Sequence, residues 1–403
     1  MDWLKTQLGF SVLLMVAIIG VMMTLVAYCI YFERKVAAYV QDRRGPNRVG
    51  PMGLLQPMAD GIKMFFKEDF IPAKVDRGLF LLAPAVIFIV AMIGFAVIPW
   101  GGQIEFASGR RVSVQVASLD IGVLYILAVA GLGVYGIVLG GWASNNKYAF
   151  YGGMRAAAQL LSYEVPMAMA ILIVVLTSGE LRLERIVAAQ MLPESGGCWN
   201  LLLHPLGFFL LIIASFAEAN RTPFDLAEAE QELVGGYHTE YSSMKFGLFF
   251  LAEYAHMITA SALMVTLYLG GWELFPFSGR LGWGWLEWLN KGTAWPAALL
   301  RFGIVFAKIA VLIFVYMWVR WTIPRFRFDQ LMRLAWKSLV PLGLALVTLT
   351  GVLVYLDRAV SWSAPCGNLA ILALLWLRLS CSRRPVTGRQ THMPPIPSGG
   401  GGT

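Results

Sequence analysis

Cysteine and histidine are both scarce in this chain. Its four cysteines, Cys29, Cys198, Cys366 and Cys381, share no metal-ligand spacing, so they cannot build a zinc, iron–sulfur or haem site. Three of the four histidines, His204, His238 and His392, stand alone in expected loops, and His256 falls within an apolar run. No Walker A sequence occurs. The stretch from Gly131 through Gly133 to Gly136 matches G-x-G-x-x-G, but it lies inside an apolar run with no strand before it. Small residues that let helices approach closely account for it, and Gly136 and Gly140 add a second such pair. The chain is therefore expected to bind no nucleotide, flavin or redox metal of its own.

Charge is the other scarcity. Only 14% of the 403 residues are charged, where soluble domains carry about 25%. The net charge of +8 comes without the interleaved aromatic platform that binds single-stranded nucleic acid. In place of charge the chain is 58% hydrophobic. Eight apolar runs, 10–32, 79–98, 119–142, 157–177, 201–219, 246–271, 297–320 and 338–356, each match the ~20 residues a spanning helix needs. Barrel-type alternation is absent. The expected fold is an all-α membrane protein of about eight transmembrane helices, with residues 1–357 as one membrane-embedded domain. Residues 358–403 form a basic, Pro- and Gly-rich tail, in which Pro394–Thr403 reads as disordered. The apolar stretch Leu369–Leu377 in that tail is too short to cross, which leaves re-entry or a surface position open.

Lysine and arginine set the expected orientation. The first loop holds nine, and Arg320, Arg325, Arg327, Arg333 and Lys337 cluster at the seventh. The other loops hold two each, so the odd loops are expected in the cytoplasm and the N-terminus outside, with the cell inner (plasma) membrane as the expected location. The five arginines beyond residue 357 break this pattern.

Three places carry chemistry. In the first loop, Leu54, Met58 and Ile62 recur at i, i+4, i+8 ahead of Phe65 and Phe66, while Asp60, Lys63 and Lys67 fall on other faces. That pattern predicts an amphipathic helix in the membrane interface, either a plain anchor or the border of an entrance for a lipid-soluble molecule. Six acids, Glu218, Asp225, Glu228, Glu230, Glu232 and Glu240, then crowd between two apolar runs. Thr222 can cap a short cytoplasmic helix with Pro223 at its first position, placing Asp225, Glu228 and Glu232 on one face. Crowded carboxylates, if desolvated, share protons near neutral pH; a solvated acidic helix is the bland alternative. Finally, Glu164, Glu253 and Lys308 lie inside apolar runs, where unpaired charge is expensive. Structural ion pairing explains them, and so does a proton relay running with Glu218 and Glu240.

Three long blocks resemble a known family: ERKVAAYVQDRRGPNRVGPMGLLQPMADGIKMFFKED, FAEANRTPFDLAEAEQELVGGYHTEYSSMKFGLFFLAEY and IPRFRFDQLMRLAWK. They are similar to the H subunit of bacterial NADH-quinone oxidoreductase, the mitochondrial subunit 1 family of respiratory complex I, over roughly residues 10–357. The resemblance implies a non-autonomous membrane subunit that forms the quinone access chamber and begins the polar path towards ion-pumping subunits. It implies that Glu33, Arg34, Asp60, Arg221, Asp225, Glu228, Glu230 and Glu232 line the chamber or its acidic mouth. Glu164, Glu218 and Glu253 would continue inward. Quinone would be the substrate, with FMN and iron–sulfur clusters carried by partner subunits of the complex, and the quinone head group held by a peripheral neighbour. A second class is the equivalent subunit of a hydrogenase or a ferredoxin- or F420-linked complex, and the genes next door would discriminate. An independent carrier lacks support because no inverted repeat of broken helices is visible.

Overall fold

The computed structural model describes residues 7–105, 109, 111–191, 197–226, 234–277, 284–358 and 363–381. Glu228, Glu230, Glu232 and Pro394–Thr403 fall outside these. Among the described residues the protein is predominantly helical, and seven helices are long and apolar enough to cross a membrane. They include α1 (Gln7–Val40), α3 (Arg77–Ile93), α4 (Gly122–Ala143) and α5 (Lys147–Ser178). The short helix α2 (Gln56–Phe66) follows α1, and the hairpin β1 (Gln103–Glu105) and β2 (Arg111–Ser113) joins α3 to α4. Beyond α5 come α6 (Leu183–Met191), α7 (Asn200–Leu203), α8 (Pro205–Glu218) and α9 (Ser243–Tyr268). The chain then forms α10 (Gly284–Lys291), α11 (Trp295–Thr322), α12 (Phe328–Leu334), α13 (Val340–Tyr355) and α14 (Ser363–Cys381).

Polar side chains at helix ends set where two of the spans begin. Asp76 accepts from the amides of Gly78 and Leu79 to start α3, and Asn146 accepts from Tyr148 N to start α5. Gly179, with φ 70°, closes α5 through its amide to Val175 O. Between spans, lipid offers no hydrophobic drive, so close backbone approach matters. Gly136 provides it: a Cβ there would sit 2.9 Å from the Ile87 Cβ. The G-x-G-x-x-G stretch is thus a packing face of α4.

Two elements differ from the sequence reading. The fifth expected span, 201–219, is split at His204 and Pro205, and its main piece, α8, has only 14 residues. Pro205 cannot continue a hydrogen-bonded helix from α7, so the chain restarts there. The apolar stretch Leu369–Leu377 is part of a longer helix, α14, extended by Ser363–Asn368. Asn368 is buried and donates to Leu203 O at 3.4 Å, which ties α14 to the α7–α8 junction.

Candidate quinone chamber and buried ion network

Because α8 is short, the turn that follows it lies inside the bundle. Arg221, in that turn, is only 4% exposed. Its Nη1 donates to Glu33 Oε2 of α1 at 3.1 Å, and its Nε lies 2.7 Å from Glu253 Oε1 of α9. The guanidinium also stacks 4.0 Å over the Tyr254 ring, and the Tyr254 hydroxyl donates to Glu33 at 2.8 Å. Arg320, near the end of α11, pairs with Glu33 as well. A few residues on, Arg325 donates to Asp225 Oδ2 at 2.9 Å. Glu33, Glu253 and Asp225 are thus offset by Arg221, Arg320 and Arg325. An isolated buried charge would cost several kcal/mol, so this balance lets the cluster exist. Burial pushes the Asp225 carboxyl above its ordinary range, while Arg325, Arg320 and Arg221 pull it down.

The turn is pinned from several sides. Gln159 of α5 donates to Ala217 O at 2.8 Å and to Asn220 Oδ1 at 3.1 Å. Phe224 N donates to Arg221 O, and Phe326 N to Pro223 O. The Phe224 ring sits between Tyr163 and Phe326, with centroids at 5.3 and 5.6 Å. The expected helix starting at Pro223 is therefore not formed over 223–226: these hydrogen bonds hold the segment as a turn, with a cis Thr222–Pro223 bond.

Beside the network lies a cavity of about 660 Å³, walled by α1, α2, α9 and the end of α11. Met23, Ile30, Met64, Phe250 and Leu251 make it largely apolar, and Glu33, Arg34, Asp60 and Arg320 mark its polar end. Arg34 donates to Asp60 at 2.7 Å and Gln56 holds the other Asp60 oxygen at 2.9 Å. The opposite face of α2 is bare, with Met58, Ile62 and Phe66 exposed, as an interfacial helix requires.

A profile of the family described as NADH dehydrogenase matches residues 13–351. The chain belongs to that family. It is similar to an H subunit of NADH-quinone oxidoreductase from Cytophaga hutchinsonii, 46% identical over 85% of this chain and 96% of the relative. It is 48% identical to the H subunit of the same description from Geobacter sulfurreducens, over 85% of this chain and 94% of that one. "NADH-quinone oxidoreductase subunit 8" of Rhodothermus marinus is 47% identical over 85% and 96%.

Within this family member, Glu33, Arg34, Asp60, Arg221 and Asp225 are brought to one end of the bundle, and Glu253 joins them through Arg221. Glu218 continues inward: it shares a void of about 30 Å³ with Asn220, Glu253 and His256, and a second of that size with His256 and Thr259. Each void has room for a water, which needs about 10–15 Å³. Glu164 lies close enough to Glu218 for the two charges to interact. Gly131 makes room for it, since a Cβ there would meet Glu164 Oε1 at 2.9 Å. Two residues stand apart. Glu240 accepts from Asn146 at 2.7 Å, at the start of α5. Lys308 donates to the carbonyls of Leu269, Gly271 and Glu273 at the far end of α9. Sequence reasoning missed Arg320, Arg325 and Tyr254. The two arginines stood in plain view, counted only as topology charges.

Among the described residues no group of three or more His, Cys, Asp or Glu could hold a metal ion.

Proposed function

We propose that this chain is the membrane subunit of a proton-translocating NADH:quinone oxidoreductase and that its cavity is the quinone access chamber. The observation that carries the proposal is Arg221, shared by buried carboxylates from two different spans beside that cavity. A quinone has a long apolar tail and a small polar head. The cavity wall matches the tail, and the α2 border supplies an entrance from the membrane interface. Electrons arrive from FMN and iron–sulfur clusters in partner subunits, and reduction of the quinone takes up two electrons and two protons.

Glu33 and Arg320 border the chamber, so they feel any change of charge within it. A new negative charge there draws the guanidinia and weakens Arg221's hold on Glu253. Glu253 then takes a proton, and the path continues by His256, Glu218 and Glu164 towards the ion-pumping subunits. The outside N-terminus and the cytoplasmic, inner-membrane placement of the acidic segment belong to this reading, as do Glu228, Glu230 and Glu232 at the chamber mouth.

Purification from native membranes tests it. The chain should co-purify with flavin- and iron–sulfur-bearing subunits that reduce quinone with NADH. Hydrogenase or ferredoxin-linked subunits in their place would overturn the assignment, as would an active monomer.

A further inference from the structure

At the opposite end of the bundle from Arg221, the β1–β2 hairpin, α6, α10 and α11 line an open cavity of about 360 Å³. Arg301 reaches it from α11, about two turns in from the helix start, and is 2% exposed. Its Nη1 donates to Gly101 O at 3.0 Å, but its Nε and Nη2 have no hydrogen-bond partner among the described residues. Trp272, 6% exposed, lines the same cavity with an equally unpartnered Nε1. Gly102 brings the two together. A Cβ at that residue, where φ is 73°, would meet Arg301 Nη1 at 2.3 Å and the Trp272 ring at 3.6 Å. The backbone there is fixed by the hairpin, through Val114 N to Gly102 O at 2.8 Å.

Buried donors are normally satisfied, and a buried guanidinium normally has a counter-ion. Among the described residues lining the cavity the one carboxylate is Glu184, and it forms no ion pair with Arg301. Glu184 is engaged by the Ser113 hydroxyl and by the charge of Arg182. The rim arginines have acids of their own: Arg111 with Glu105, Arg182 with Asp120, and Arg185 with Glu180. Arg301 is the buried cation of this wall without one. The free groups, Nε, Nη2 and the indole N–H, are all donors, so water would meet their hydrogen-bonding need but not the charge. A ligand rich in acceptor oxygens and negatively charged meets both, and the guanidinium fork matches two oxygens of one phosphate.

We propose that this cavity binds a phosphate group, held by Arg301 and Trp272 and admitted by Gly102. The phosphate belongs either to an anionic lipid of the adjoining leaflet or to the free ion. The full chain, purified with its accompanying subunits and stripped of lipid, is tested with radiolabelled inorganic phosphate. Parallel samples are reconstituted with phosphatidylglycerol or phosphatidylcholine, and retained phosphorus is counted after detergent exchange. One saturable site is expected, weakened at least about tenfold by Arg301→Gln and less by Trp272→Phe. Arg333→Gln, in an exposed pair outside the cavity, should leave it unchanged. Binding of inorganic phosphate identifies the free ion, and selective retention of phosphatidylglycerol identifies the lipid. Trp272→Phe carries the test alone if Arg301→Gln does not assemble. Absence of a site in the wild-type protein, or binding indifferent to both Arg301 and Trp272, would overturn the proposal and leave water as the only occupant.

Discussion

Arg221, which is buried, and Lys308, which is half-buried, are both cations against α9, and their hydrogen-bond partners differ in kind. Arg221, near the Glu33 end, is held by two carboxylates and the Tyr254 ring. Lys308, at the other end, donates to three backbone carbonyls, lies 4.3 Å from the Trp199 ring centroid and has the charge of Glu273 nearby. The 16 residues from Glu253 to Leu269 separate the two sites by roughly 24 Å along the helix. Carbonyls cannot titrate, whereas carboxylates can gain a proton and release their partner. The Arg221 site can therefore respond to a charge change nearby, while the Lys308 site caps the carbonyls at the end of α9. Charge inside a membrane span does not by itself mark a relay; the chemistry of the partner does.

The harshest way to break the comparison is to remove Arg221. Arg221→Met leaves Glu33 and Glu253 buried with less compensation, a change that destabilises by about 3–5 kcal/mol. Most of the assembled complex should vanish from a native gel. Adding Glu253→Gln removes one of the stranded charges and should restore part of the assembly without restoring quinone-linked turnover. Recovery of full turnover in the double variant would reduce the Arg221 network to scaffolding.

Glu253→Gln alone is gentler, because the amide keeps the shape and loses only the titration. Assembly should persist, quinone-linked NADH oxidation should fall about tenfold, or ~1.4 kcal/mol in barrier, and oxidation by a water-soluble acceptor should hold. Equal loss of both activities would mean lost assembly, and wild-type quinone turnover would free Glu253 of any role in coupling.

How far these sites were visible beforehand follows from the range over which each is built. The long apolar runs and the i, i+4, i+8 pattern of α2 are local, and apart from the split fifth run they appear as helices. The turn at Arg221 is not local. Thr222-Pro223 carries a good helix-start pattern, but Gln159 and Phe326, distant in sequence, decide its conformation. Glu164, Glu218, Glu253 and Lys308 could be singled out because charge in an apolar run is conspicuous. Their partners could not, because Arg320 and Arg325 sit at a span end where positive charge is routine. Lys308 shows the reverse limit, since carbonyl partners leave no trace in residue types.

Lys308→Met sharpens the contrast. Losing charge-assisted hydrogen bonds costs about 1.5–3 kcal/mol each, so the complex should dissociate at a lower temperature. Quinone turnover per assembled complex should stay within about twofold of wild type, since the hydrogen bonds lost are to carbonyls, which do not titrate. A large fall in turnover at normal stability would instead place Lys308 on the proton path and dissolve the distinction between the two cations.

The smallest effect is expected at Asp225, between the two extremes. Asp225 is 6% exposed, but Arg325 opposite it is partly open to solvent. Burial raises the folded-state pKa above the ordinary aspartate value of 3.8, so the folded protein holds this proton more tightly than the unfolded chain does. The stabilisation is fully present below that ordinary value and is lost as pH rises through the raised folded value. Asp225→Asn fixes the neutral form. It should leave Arg325 with solvent as partner, at a cost of about 1 kcal/mol or less. Dissociation temperature measured from pH 4 to pH 8 should therefore fall more steeply with pH in the wild type than in Asp225→Asn. The opposite order, with the wild type gaining stability over Asp225→Asn as pH rises, would mean that Arg325 outweighs burial and that Asp225 is a plain ion pair.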